Sequence, residues 1–571
     1  MPGVKKGKGS ILERRETQVI IVLFLLAFLV RYHFMGAGLF HTDSVIGARA
    51  AEDTIATGRL HYLQGRLGYP GEAILNTLTF AVFRLFGAET AEYSTLFSGV
   101  LFGALCVPVI YLLTRKLFDS DNAGIYAALI LTFFPIHLSL STYGKGHGME
   151  LFFLLTAGYL ALLAGQRKTL KLKILAACVL GFTLSIRQTS ALVFPAFLLF
   201  YFRGDPPVLI KKKGGKTKFK LEKKTGELAK DLALLIIPVF IIFYAMFLPK
   251  MLDKPDFSLI ETFQSVGAET NRGFGLFTPM LTLSLTWATV SVTELGWLAA
   301  LSGIYLSWKK DKLTTIALVL WFLFLFFYLG NLISTSPRFV IPAMVIPIIF
   351  SSVSLDELRK KYGQQAVALV LIVLIIWMMR NIYDVIDYRS RYCGPCEFSK
   401  RIAEVTEPDS VIIAMDESQH YEYYSKRRAI GHPSGPDLAK PEKIKASLDL
   451  IDGLLRNGTG VYATTQGMGY DVVISDILAY NSEDMMLMNR LDGQVYANLR
   501  FDIQSRQLFD RRSGAVLPLT GMWGLGLYDR FTVLPVMQAE NEDWHHKGLT
   551  AGKYTAVLYK ITLREDPDEG A

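Results

Sequence analysis

Charge is scarce in this sequence: Asp, Glu, Lys and Arg make up 19% of its 571 residues, against roughly 25% in soluble globular domains. That scarcity excludes the three or four soluble domains that the length would otherwise suggest. Cysteine is scarcer still. Of the four cysteines, Cys106 and Cys178 lie inside apolar runs and read as packing residues, which leaves Cys393 and Cys396 as a separate pair. No small-residue cleavage pattern follows the first apolar run, so that run is not read as a cleaved signal peptide. Nor is there a visible internal repeat of the kind that marks transporters.

What the chain has in abundance is apolar sequence, 51% of it, and that sequence comes in blocks. "TQVIIVLFLLAFLV" and "TTIALVLWFLFLFFYLG" have the length and purity of a membrane span or most of one. The expected fold class is a polytopic α-helical membrane protein of about eleven spans, N-terminus in and C-terminus out, with interfacial helices in the first external loop and a C-terminal soluble α/β domain. The spans are placed near 17–35, 94–114, 123–140, 149–165, 174–188, 190–202, 231–249, 285–307, 313–330, 339–353 and 365–380. The basic connections "RKLFDSD", "QRKTLKLK", "WKKDK" and "LDELRKKYG" then all fall on the cytoplasmic side, as the positive-inside rule requires. That rule also accounts for the net charge of +9, so no nucleic-acid partner is expected.

Residues 1–380 form the membrane module on this reading. Within it, 36–93 is a large first external loop and 203–230 a basic cytoplasmic loop whose low-complexity part, 211–226, is expected to lack fixed structure. In the external loop, "DSVIGARAAEDTIATG" opens with an N-cap-like Asp-Ser and closes on Gly58, predicting an amphipathic helix. Residues 73–87 carry Arg84 and read as an interfacial helix rather than a span. From 381 to 571 ordinary polarity returns, and strand-like runs such as "SVIIAMD", "YDVVISD" and "YTAVLYKIT" alternate with helical ones.

Ionisable residues recur at the external helix ends: Asp43, Lys145, His147, Glu150, Arg187 and Arg338. Charges there are costly unless paired, snorkelling or lining a wet cavity, which makes them functional candidates. Arg187, in the short turn "LSIRQTS", and Arg338, directly after Pro337, would suit a phosphate through bidentate hydrogen bonds. The simplest phosphate at that depth belongs to a lipid. Glu150 follows His147 by three residues, so both can face one site. With His41 and Asp43 they could hold a divalent metal if the two loops meet.

In order along the chain, "HTDSVIGARAAEDTIATG", "RLFGAETAEYSTLFSGVLFGALCVPVIYLLTRKLF", "STYGKGHGMEL", "LSIRQTS" and "SPRFVIPAMVIP" resemble the glycosyltransferase C class, most closely its protein O-mannosyltransferase and aminoarabinose-lipid A transferase branch. The resemblance implies a multi-span enzyme that uses a polyprenyl-phosphate sugar as donor and a protein, lipid or glycan as acceptor. It puts Asp43 in the place of the catalytic acid and Glu150 near the second acid. Arg187, Arg338 and Lys145 then stand at the donor phosphate, with His41 and His147 lining the site. Two departures bear on the choice of sugar and acceptor rather than on the reaction class. Asp43-Ser44 stands where the family often has Asp-Glu, and the family's Lys-Pro-Pro appears only as "GYPGEA", without the lysine.

"RYCGPCEFSKRIAE" has the spacing of a thioredoxin-type redox site but follows a membrane helix rather than a central strand, so Cys393 and Cys396 read as a structural disulfide or free thiols. Asn457 in "NGT" is a glycosylation acceptor on the external side where the host has that machinery. The alternative function is a transporter or flippase of lipid-linked sugars, which would need ionisable groups at mid-bilayer. A membrane-anchored sensor would leave the ordered external charges unexplained. The expected location is a cell membrane, of a prokaryote rather than the endoplasmic reticulum, with the C-terminal domain outside.

Overall fold

The apolar blocks fold as helices because, without water, a chain must satisfy its amides and carbonyls internally. The structure, a computed structural model, describes residues 9–62, 69–203, 208–213, 216–221, 225–253, 258, 279–330, 337–414, 418–431, 441–464, 467–468, 499–502, 507–510, 516–517, 521–541 and 554–564. They divide into two compact units: Met1–Met35 with Ala50–Tyr383, and Gly36–Arg49 with Asp384–Ala571. The segment Gly36–Arg49 thus belongs with the C-terminal residues, a division that composition does not reveal.

The first unit runs through α1 (Gly9–His33), α2 (Thr42–Thr57, shared with the second unit), α3 (Pro70–Arg84), α4 (Glu92–Phe118), α5 (Asp121–Thr132), α6 (Pro135–Leu140) and α7 (His147–Arg167). It continues with α8 (Leu170–Ile186), α9 (Phe194–Tyr201), α10 (Thr225–Asp253), α11 (Pro279–Lys310), α12 (Lys312–Gly330), α13 (Pro337–Tyr362) and α14 (Gln364–Arg391, shared with the second unit from Asp384). Among the described residues, eight helices are long and apolar enough to cross a membrane, fewer than the eleven expected. The difference lies in α5, α6, α8 and α9, which cover most of the expected spans 123–140, 174–188 and 190–202 but are each shorter than the roughly 20 residues of a span. Pro135 explains one break: it offers no amide to the preceding turn and holds Phe134 extended, at φ −67° and ψ 119°. The stretch after α8 is a 3-10 turn, Gln188–Val193, before Pro195 starts α9.

α3 has 15 residues, short of the roughly 20 that a span needs. It buries Glu72, Asn76 and Phe80 while leaving Leu78 and Val82 exposed, as an interfacial helix does. α2 ends before Gly58, whose φ of +68° stops the helix where the sequence predicts. The basic segment after α9 carries a hairpin instead of lacking structure: Val208–Lys213 (β1) pairs antiparallel with Lys216–Leu221 (β2), placing Ile210 opposite Phe219. In β2, Lys216, Lys218 and Lys220 alternate with Thr217, Phe219 and Leu221, the period of two that a strand requires, and Gly214-Gly215 lie between the two strands in the sequence.

Hydrophobicity cannot drive helices together where the solvent is itself hydrocarbon, so close contact and small polar groups do so. At Gly303 of α11 a Cβ would lie 1.9 Å from the Phe350 carbonyl oxygen of α13. Ser351 and Ser354 of α13 donate back to the Gly296 and Ala299 carbonyls at 2.9 and 2.6 Å. The buried Arg31 of α1 is held likewise, donating to Ser141 Oγ, the Ala27 carbonyl and His137 Nδ1 at 3.1, 3.1 and 2.8 Å. The outward sides of α10 and α14 carry exposed Phe240, Ile241, Leu369 and Ile376, as lipid-facing helices do.

In the second unit, β3 (Val411–Ala414), β4 (Arg428–Gly431), β5 (Val461–Thr464), β9 (Phe531–Asn541) and β10 (Tyr554–Leu563) form a mixed sheet in the order β4-β3-β5-β10-β9. β3 is parallel to both neighbours, whereas β10 is antiparallel to β5 and β9. The helix Pro441–Arg456 covers the sheet with Ile444, Leu448 and Ile451, spaced for one helical face. A second sheet joins Leu499–Asp502 (β6), Gln507–Asp510 (β7) and Val516–Leu517 (β8). The expected strand "YDVVISD" lies outside the described residues.

Candidate active site

The turn after α8 places Arg187 in extended backbone, φ −149° and ψ 117°, freed from the helix. Its guanidinium lies 3.8 Å from the centre of the Tyr69 ring and its Nη1 lies 3.0 Å from Glu72 Oε2. Pro70 starts α3, and Gly71 lets that start approach α8, since a Cβ there would sit 2.5 Å from Ser185 Oγ. The carboxylate of Glu72, 2% exposed, also accepts the Gly146 amide at 3.1 Å. Gly146 is compelled by this contact, because a Cβ would lie 2.2 Å from the Glu72 carboxyl carbon.

One residue on, α7 begins. His147 Nδ1 lies 3.5 Å from Glu150 Oε2, and Ser190 Oγ donates to Glu150 Oε1 at 3.0 Å. Both Glu150 and Lys145 are buried, and the Lys145 ammonium lies 6.0 Å from the Tyr143 ring. The His147 ring meets that of Phe339 edge-on at 6.4 Å, and the Arg338 guanidinium lies 5.0 Å from the same Phe339 ring. Five of the seven residues singled out by sequence, Lys145, His147, Glu150, Arg187 and Arg338, therefore lie in the first unit. Glu72 joins them unannounced.

His41 and Asp43 lie on the Gly36–Arg49 segment of the second unit. The helix cap is His41, not the Asp-Ser pair: His41 Nδ1 accepts the Asp43 amide at 3.0 Å. Asp43 sits in the first turn of α2, where an acid meets the positive helix end, and half of its side chain is exposed. A divalent set was expected from His41, Asp43, His147 and Glu150; among the described residues no three His, Cys, Asp or Glu side chains group to hold a metal ion. The physical reason is local, since His41 Nδ1 is engaged by a backbone amide and His147 Nδ1 turns to Glu150.

Residues 75–242 match the family described as dolichyl-phosphate-mannose-protein mannosyltransferase. The chain superposes on the archaeal oligosaccharyltransferase AglB from Archaeoglobus fulgidus, solved with an inhibitory peptide and a dolichol-phosphate, with a TM-score of 0.57. Identity is 14%, over 92% of this chain and 80% of that one. ArnT from Cupriavidus metallidurans, bound to undecaprenyl phosphate, superposes with a TM-score of 0.57 at 13% identity, over 78% of this chain and 92% of its own. No curated protein sequence matches. The chain shares the fold of these two solved proteins.

The family match and the structural neighbours are membrane glycosyltransferases. The family-matched stretch contains Lys145, His147, Glu150 and Arg187, while Asp43 and Glu72 precede it. Glu72 lay in "GYPGEA", noted in the sequence only for a missing lysine. The signal that could have found it was an acid two residues after a helix-starting proline.

Proposed function

We propose that the chain transfers a sugar from a polyprenyl-phosphate-linked donor to an acceptor hydroxyl or amine at the external or lumenal face of the membrane, inverting the anomeric carbon. The observation that carries this reading is the half-buried cation Arg187, stacked on Tyr69 and paired with Glu72, in the family-matched stretch that also holds the buried Glu150. An anionic leaving group needs fixed positive charge where it departs, and guanidinium groups suit phosphate oxygens. Arg187, Arg338 and Lys145 supply that charge, and Glu150 with His147 and Ser190 lines the sugar side.

Asp43 is the general base. It takes the acceptor proton as the acceptor atom attacks the anomeric carbon. The bond from that carbon to the phosphate oxygen breaks, and polyprenyl phosphate leaves with the electron pair. The solved relatives, bound to dolichol-phosphate and to undecaprenyl phosphate, support the donor class. The test is transfer from radiolabelled polyprenyl-phosphate sugars by protein in lipid nanodiscs, with the product anomer read by NMR. Asp43→Asn lowers turnover by about 10²- to 10⁴-fold on this reading. Full turnover in that variant, or a product of retained configuration, refutes it.

A further inference from the structure

The segment that carries Asp43 is fastened to the second unit at five points between Ala37 and Arg49. The Ala37 amide donates to the Arg389 carbonyl at 2.8 Å. Gly38 lies flat on the Cys393–Cys396 disulfide, and a Cβ there would stand 2.5 Å from Cys396 Sγ. Leu39 is gripped on both sides of its backbone: its amide donates to Tyr424 Oη at 3.0 Å and its carbonyl accepts from His420 Nε2 at 2.8 Å. A carbonyl can only accept, so His420 carries its hydrogen on Nε2. Phe40 packs against both cysteines and Tyr424. Arg49 pairs with Glu422 and donates to Gln419 at 3.2 Å.

This is more than a covered loop needs. An apolar residue at position 420 would bury as well without placing an imidazole where it has almost no exposed surface. What His420 and Tyr424 add is direction, since each bond fixes one atom of Leu39. Two residues beyond Leu39, His41 caps α2, and two further on stands Asp43. A shift at Leu39 therefore reaches Asp43 through only three residues, in a stretch whose backbone is tied where Phe40 and Ser44 donate to the Gly38 and His41 carbonyls at 3.1 and 2.9 Å.

We infer that Tyr424, His420 and the Cys393–Cys396 disulfide are positioning residues for Asp43, and that the C-terminal domain serves the transfer reaction by aiming its base. The inference rests on the reading of Asp43 as that base. It gives the Cys-Gly-Pro-Cys motif a role as a hard, flat seat for Gly38 in place of a redox one.

The experiment uses the full chain in nanodiscs with Tyr424→Phe, which removes one hydroxyl, and Gly38→Ala, which lifts the segment off the disulfide. Turnover of a polyprenyl-phosphate sugar is measured beside hydrogen exchange at the amides of Leu39 and Asp43. The expected result is a fall in kcat of about ten- to a hundredfold with the donor KM held within about twofold, as misplacing a catalytic group without touching donor binding requires. Exchange at both amides accelerates. Unchanged kcat in both variants, with Asp43→Asn inactive, overturns the positioning role. A loss carried equally by kcat and KM overturns it too, since that marks general damage. Full activity in Asp43→Asn strikes down the base assignment alone, and accelerated exchange in Tyr424→Phe still reports the grip on Leu39.

Discussion

The carboxylate of Glu72 and the guanidinium of Arg187 meet at 3.0 Å, with side-chain exposures of 2% and 13%. A pair so enclosed is poor evidence of net stability, but removing one partner strands the other's charge away from water. Arg187 needs an acid at rest, and an anionic donor would compete with that acid for it.

From this follows the first expectation. Glu72→Ala and Arg187→Ala each destabilise the protein by about 3–5 kcal/mol, while the double variant loses much less than the sum. Thermal unfolding in nanodiscs measures the cycle. Arg187→Ala also raises the donor KM at least about tenfold, the loss of one charge-assisted bond to phosphate. Additive stabilities would show that the two side chains do not act as a pair.

Gly146→Ala forces a methyl group into the Glu72 carboxylate. Overpacking of this kind costs about 1–3 kcal/mol, with loss of the Gly146 amide bond on top of it. Glu72→Ala opens that space, so the double variant Gly146→Ala/Glu72→Ala unfolds no earlier than Glu72→Ala alone. An earlier melt in the double variant would place the strain elsewhere.

Gly303→Ala meets the Phe350 carbonyl, a backbone atom that cannot swing away. The α11–α13 packing then has to separate, and the expected loss is about 1–3 kcal/mol. Gly458→Ala, where a Cβ would meet nothing, serves as the comparison because its φ of +78° strains the backbone without any clash.

His420 gives the C-terminal domain a predictable acid response. Burial pushes its imidazole down to about 4. The unfolded chain takes up a proton near 6.5, and the folded one resists until near 4. Because the folded value is the lower one, the stabilisation is whole above about 6.5 and drains away as pH falls toward 4. Melting temperature should therefore drop across that window in the wild-type chain and less steeply in His420→Gln, whose amide can still donate to the Leu39 carbonyl. A slope unchanged by the substitution would assign the acid response to other groups.

Much of this was legible in the sequence. Gly58 stops α2 as predicted, the helix over 73–87 is shorter than a span, and the apolar blocks gave the long helices, because length and apolarity are local properties. The count of spans was not legible at 123–140, where a single Pro135 divides what hydropathy joins. Arg187, Glu150 and His147 stood out as candidates because charge beside a span is conspicuous, and all three lie in the first unit. Glu72 was not, since it sits among small residues in the first turn of α3 and is paired with Gly146 and Arg187, 74 and 115 positions away. Nor does any pattern link Gly38 to Cys396, a contact between segments more than 350 residues apart.

That last contact bears on how the protein can be dissected. A fragment beginning at Asp384 would leave behind the strand of chain that Tyr424, His420 and the disulfide hold, and expose the trough in which Leu39 lies. No single scissor cut yields two self-sufficient pieces. A synthetic peptide spanning Gly36–Arg49 is thus the natural complement of the isolated C-terminal fragment, much as a missing strand restores a split protein.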